Sequence, residues 1–231
     1  MRFESSGAHD GTAQVKVFGL QPELQLLLRP MGFTDRDEEF VLDVKADDET
    51  SSRVVENWHS HGREIVLQAA GLKPVPWAEA LRSFMSAVDG SGIWWFLVGS
   101  AALAVRGLDV APGDIDIATD ADGIGALAKV LREHLLSPVL DTRGWLICER
   151  VGRAFMHARI EIVGNVRPAA DDPQPRPFGP EAASRIELVA WEGFEVPVAP
   201  LDLQLVDELS RGRRYHAAQI LRAMEASAPI G

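Results

Sequence analysis

The chain has 231 residues, 46% of them hydrophobic and 25% charged, with a formal net charge of −11. This composition fits a globular protein with a sizeable core, while the acidic balance disfavours broad, sequence-independent DNA or RNA binding. The single cysteine, Cys148, excludes an intrachain disulfide framework, and no apolar run is long enough for a membrane span or a secretory leader, so a cytoplasmic location is the expectation.

In chain order, residues 1–14 are polar and read as a loose tail, and Val15 to Phe18 begins a strand. Pro22 to Leu28 reads as a short helix, with Pro22 in its first turn, stopped by Arg29 and Pro30. Glu39 to Val44 alternates as a strand. Asp47, Asp48 and Glu49 then precede a helix over Arg53 to His61. Acidic residues stabilise a helix start, so a cap is preferred over a cation site there. Trp58, His59 and His61 are expected at a surface or interface, because two histidines without a matched third ligand are weak metal evidence. Ile65 to Ala70 is apolar, Gly71 and Pro74 to Pro76 break the pattern, and Trp77 to Val88 has helical apolar spacing.

The stretch from Ile93 to Asp120 carries the chemistry. Ile93 to Val98 is an apolar run that reads as a buried strand. Gly99 and Ser100 then open a helix that Gly107 ends. A helix start offers free N–H groups to an anion, Gly99 permits close backbone approach, and Ser100 adds a hydroxyl. Pro112 and Gly113 turn the chain into a strand bearing Asp114, Ile115, Asp116 and Ile117. Alternation puts the two aspartates on one face and the two isoleucines on the other. Paired carboxylates repel, and the usual remedy is a divalent cation such as Mg²⁺.

A Gly-Ser, a short helix and an Asp-x-Asp strand together resemble the nucleotidyltransferase superfamily of the polymerase-beta type, in particular its small bacterial branch. The resemblance implies an α+β fold: a nucleotidyltransferase-like mixed sheet flanked by helices, carrying the Gly-Ser turn and the Asp-x-Asp strand. It implies a nucleoside triphosphate with Mg²⁺ as cofactor, and transfer of a nucleotide to an acceptor hydroxyl with release of pyrophosphate. Asp114 and Asp116 match the metal-binding pair; Gly99 and Ser100 match the triphosphate cradle. Many relatives carry a basic residue shortly before the first aspartate, where this chain has Val110, Ala111 and Pro112. The transferase core is placed at 75–200, with 1–74 an accessory region or part of the same domain and 201–231 a C-terminal helical segment.

Asp120 to Leu136 reads as the next helix, and Val139 to Glu149 and Ala154 to Val163 as strands punctuated by Gly144 and Gly152. Cys148 reads as a small core residue rather than a nucleophile. Glu161 alternates with Ile160 and Ile162. By resemblance it is the third carboxylate, a catalytic and metal ligand beside Asp114 and Asp116, although aspartate is more usual there. Arg159 shares its face and would hold a phosphate or pair with Glu161. Residues 167–180 are a proline-rich loop. Arg185 to Val189 and Trp191 to Val198 form a hairpin. Pro200 to Ser210 is a helix expected to bury Leu201, Leu205, Val206 and Leu209, and Ala217 to Met224 is the last helix.

Arg211, Arg213 and Arg214 form a local basic patch between those helices. In relatives a basic and an acidic residue in this region lie close to the nucleotide; here His216 and Ala217 stand where the acidic one is expected. Arg213 or Arg214 would reach a phosphate, with Tyr215 near a base or acceptor. The acceptor is left open among a small molecule, a protein and an RNA. Two other readings stand: a non-catalytic nucleotide-binding or regulatory protein of the same fold, and a toxin-type enzyme acting on tRNA.

Overall fold

The computed structural model describes residues 1–9, 12–36, 39–142, 148–166 and 176–227. Two compact units emerge from the pattern of contacts. The first comprises Met1–Ser91, Gly125–Leu140 and Gly152–Ile160, and the second Gly92–Ile124, Asp141–Val151 and Glu161–Gly231.

The first unit begins with β1 (Arg2–His9) and β2 (Thr12–Phe18), paired antiparallel where a loose tail was expected. Phe3 is the reason: it is buried, and its ring stacks on Trp58 with centroids 5.9 Å apart. Helix α1 (Pro22–Leu28) runs into a 3-10 turn at Arg29–Met31. Then β3 (Thr34–Arg36) and β4 (Glu39–Val44) complete a sheet of order β1-β2-β4-β3.

Helix α2 (Asp48–Ala69) is one element of 22 residues, not a short helix followed by a separate apolar stretch. Asp47 caps it, its carboxylate accepting from the Thr50 N–H at 2.9 Å and the Thr50 hydroxyl at 2.7 Å. Helix α2 continues through Gly62, beside which Phe3 occupies the space of a side chain; a Cβ there would lie 2.6 Å from the ring. Trp58 is not at a surface. It is 1% exposed, Phe33 meets it edge-on at 4.9 Å, and its indole Nε1 donates to the Leu136 carbonyl at 2.7 Å. The apolar stripe of α3 (Trp77–Val88) buries Leu81, Phe84, Met85 and Val88.

The second unit opens with β5 (Trp95–Val98), which passes directly into α4 (Gly99–Val105). Strand β6 (Ile115–Thr119) follows and pairs antiparallel with β5. The next helix, α5 (Ala121–Val130), is shorter than its apolar spacing suggests. A 3-10 turn at Arg132–His134 ends it, and β7 (Leu135–Asp141) begins where the helix was expected to continue. Strands β8 (Cys148–Met156) and β9 (Ala158–Val166) reverse at His157, which has φ 65°. Gly152 lies within β8 and breaks nothing, while Gly144 and residues 167–175 of the proline-rich loop fall outside the described residues.

After α6 (Pro180–Ser184) come the hairpin strands β10 (Glu187–Trp191) and β11 (Phe194–Val198), then α7 (Leu201–Ser210) and α8 (Arg214–Ser227). The second sheet has order β10-β11-β5-β6-β9-β8-β7 and is mixed, with β11 and β5 parallel and β5 and β6 antiparallel. Overall this is a mixed α/β architecture, a central mixed sheet flanked by helices. Against the sheet face of Phe96, Val98 and Ala118 pack Ala182, Ala199 and Leu203, with Phe178 partly buried beside them. Among the described residues no helix is long and apolar enough to cross a membrane.

Two outcomes follow for the first unit. Trp58→Phe removes the donor to the Leu136 carbonyl and should destabilise the protein by about 1–3 kcal/mol, read as a lower urea midpoint. Burial is the largest cause lowering the His134 pKa from its ordinary 6.5; Glu133 opposes it, and His61 and His157 add to it. The folded state then binds this proton less readily than the unfolded chain. Stability is therefore fully present above the ordinary value and is lost as the pH falls through it toward the folded-state value. Urea midpoints measured between pH 7.5 and 5 should fall more for wild type than for His134→Gln.

Candidate functional site

The site grows from the junction of β5 and α4. Antiparallel register sets Val98 opposite Asp116 and Leu97 opposite Ile117. Ile115 and Ile117 are fully buried, whereas Asp114 and Asp116 are only half-buried. The period-two alternation therefore separates carboxylates from core. Asp114 lies just before β6, in a bend rather than in the strand.

Gly99 is the first residue of α4 and has φ +65°. A Cβ at this position would stand 2.6 Å from Asp116 Oδ2 and 3.5 Å from its Cγ. Any other residue would suffer both a strained backbone and a clash with the carboxylate. Beyond the close phosphate approach expected of it, Gly99 makes room for Asp116. Ser100 is buried within the first turn of α4, at 8% exposure.

A cavity of about 280 Å³ opens at this junction, wholly within the second unit. Gly99, Asp116, Glu161, Asp207, Arg211 and Arg213 line it. The remainder is apolar: Val98, Ile117, Cys148, Val163, Pro177 and Phe178. Glu161 is presented by β9, where Ile160 and Ile162 are buried and Glu161 between them is half-exposed. Cys148 is 3% exposed at the start of β8. The lining does not include Asp114, Ser100, Arg159 or Arg214. Arg159 sits on β9 within the first unit, and Arg214 is the exposed first residue of α8.

Sequence reading missed the carboxylates of α7. The helix buries Leu203, Gln204, Asp207 and Glu208, while Val206 and Leu209, expected inside, are 39% and 56% exposed. Arginines compensate this polar face. Arg211 Nε pairs with Asp207 Oδ2 at 2.9 Å, and Arg176 lies 3.9 Å from Asp207 Oδ1. Arg213 donates to Glu208 Oε1 at 3.2 Å, and His216 Nδ1 lies 3.0 Å from Glu208 Oε2. The signal was an acidic pair followed, three and five residues on, by Arg211 and Arg213. Tyr215 hydrogen-bonds through its hydroxyl to Asp109 Oδ2 at 2.5 Å, which holds the phenol above its ordinary pKa of 10.0.

Among the described residues no group of three or more His, Cys, Asp or Glu stands close enough together to hold a metal ion. Asp116 and Glu161 share the cavity, and Asp114 is not on its wall. Two carboxylates are nonetheless a fitting donor set for Mg²⁺, which takes one or two protein carboxylates, keeps waters and is completed by substrate phosphates.

No family model matches the chain, and no curated protein matches it. Solved structures similar to it include the following three. A Thermotoga maritima protein assigned as a nucleotidyltransferase is 23% identical, with a TM-score of 0.49 over 63% of this chain and 91% of that one. ANT(2'')-Ia in complex with adenylyl-2''-tobramycin is 13% identical, with a TM-score of 0.44 over 62% and 87%. The solution structure of the antibiotic-resistance factor ANT(2'')-Ia is 12% identical, with a TM-score of 0.44 over 64% and 83%.

Gly99→Ala tests the junction. The backbone term for a left-handed alanine is roughly 1–2 kcal/mol, and displacement of Asp116 adds to it. Gly107→Ala is the control, since Gly107 has φ +81° but nothing within 4 Å of an added Cβ. Urea denaturation should show Gly99→Ala as the more destabilised of the two.

Proposed function

We propose that the chain is a nucleotidyltransferase that moves a nucleotide from a nucleoside triphosphate to an acceptor hydroxyl. The observation that carries this reading is the carboxylate of Asp116 set against the Gly99 backbone, in a cavity that also receives Glu161 and two arginines. The lining thus carries both carboxylates and guanidinium groups, the two charge types that a metal-bound triphosphate calls on.

Asp116 and Glu161, with Asp114 at the edge of β6, would hold Mg²⁺. When bound, the ion supplies Lewis-acid stabilisation to the phosphates and activates the attacking oxygen. Gly99 offers its backbone to the phosphates, and Arg211 and Arg213 offer them guanidinium groups. Ser100 and Arg214 remain proposed nucleotide contacts on the resemblance alone, and Arg159 on its i,i+2 spacing from Glu161. The acceptor oxygen forms a bond to the α-phosphorus as the bond from that phosphorus to the bridging oxygen breaks. Pyrophosphate leaves in line, and a carboxylate oxygen of Glu161 takes up the hydroxyl proton. Phe178 is the aromatic residue among the lining residues, and a base could stack on it.

A nucleotide-binding protein without turnover is the second reading, and the observation in its favour is the absence of Asp114 from the cavity wall. Both are tested by incubating the protein and Mg²⁺ with each labelled nucleoside triphosphate, against small-molecule hydroxyls, proteins and RNA as acceptors. Acceptor-dependent pyrophosphate release is expected. Asp116→Asn and Glu161→Gln should each lower it by on the order of 10²–10⁴-fold with unchanged circular dichroism. Nucleotide binding without release for every acceptor favours the second reading, and wild-type turnover in Glu161→Gln removes that residue from the site.

A further inference from the structure

Glu208 is 2% exposed and does not line the cavity, yet Arg213 does. The two are joined twice. Helix α7 ends at Ser210 with Arg211 as its C-cap, and Gly212 follows with φ +69°. The Gly212 N–H then bonds the Leu209 carbonyl at 3.0 Å, and the Arg213 N–H bonds the Glu208 carbonyl at 2.9 Å. This paired arrangement is the Schellman closure of a helix end. It brings Arg213 back over Glu208, whose Oε1 accepts from the guanidinium at 3.2 Å. The other carboxylate oxygen meets His216 Nδ1 at 3.0 Å, in the first turn of α8. Both oxygens of a buried carboxylate are thus engaged by groups on the chain that follows it.

We propose that Glu208 is a positioning residue: it fixes the Arg213 guanidinium at the cavity wall, in the orientation that receives a phosphate group. This rests on the transferase reading for its ligand but not for its geometry. Burial makes the carboxylate a fixed point, because leaving it without its donors is costly. The side chain of Arg213 is 41% exposed, so part of the guanidinium stays open to a ligand while one nitrogen is held. Asp207 differs from its neighbour in lining the cavity directly.

The probe is inorganic triphosphate with Mg²⁺, which carries the phosphates without any base. Calorimetry on the full chain should show Arg213→Ala weakening binding by about tenfold, with Glu208→Gln similar. The double variant should bind no more weakly than Arg213→Ala alone, because one residue acts through the other. Losses that multiply, or wild-type binding in Glu208→Gln, overturn the proposal. Should Glu208→Gln fail to fold, Gly212→Ala disturbs the same closure without altering charge, and an added Cβ there meets nothing within 4 Å. It should weaken binding in the same direction, and unchanged binding counts against the proposal. A second readout needs no ligand: the Arg213 guanidinium should give a slowly exchanging ¹⁵N–¹H signal in wild type that is lost in Glu208→Gln. Persistence of that signal overturns the positioning role. Absence of triphosphate binding by wild type overturns the transferase reading and the phosphate assigned to Arg213, while the guanidinium signal still decides whether Glu208 holds it.

Discussion

The site depends on how closely the Asp116 carboxylate approaches the backbone at Gly99. A strand and a helix meet there without an intervening loop, and the register of β5 against β6 brings the carboxylate to the same point. A Cβ would not fit between them. The left-handed backbone at Gly99 and the buried isoleucines on either side of Asp116 are separate constraints with one result. They hold an acidic group at the start of a helix that is otherwise embedded in core. Glu161, from a strand more than forty residues later in the sequence, opens onto the same space by the same alternation.

The second constraint is electrostatic. Asp207 and Glu208 are buried on α7, where most helices of this length would bury leucine. Their burial is tolerable only because arginines and a histidine reach them from the chain that follows and, for Asp207, from Arg176. The cavity thus has both carboxylates and guanidinium groups in its lining, within a protein of strongly acidic net charge. An anionic ligand would meet favourable charge at the guanidinium groups even though the net field of the chain opposes it.

Much of the junction was legible in the sequence, because local rules act there. Alternation separated Asp116 from Ile115 and Ile117, and the glycine after an apolar run marked a strand giving way to a helix. What escaped depends on partners distant along the chain. The face of α7 was misread because Leu201, Leu205 and Leu209 form an apolar stripe; nothing local shows that carboxylates will be compensated from outside the helix. Trp58 looked like a surface group beside histidines until Phe3 and Phe33 closed around it. The reversal between β8 and β9 falls on His157, with no glycine or proline at that position to mark the turn. Nothing local to Gly62 shows that it leaves room for Phe3, almost sixty residues earlier in the chain.

The second unit gathers three separated stretches of chain, and its cavity wall runs from Val98 to Arg213. Such long loops must close before their contacts reward the entropy lost, so this wall has high contact order and should assemble late. During vectorial synthesis, Asp116 and Gly99 emerge well before Arg211 and Arg213. The ligand-facing surface therefore stays incomplete until nearly a hundred residues beyond Asp116 have left the ribosome. The first unit's amino-terminal sheet, by contrast, pairs strands close along the chain and could form while synthesis continues.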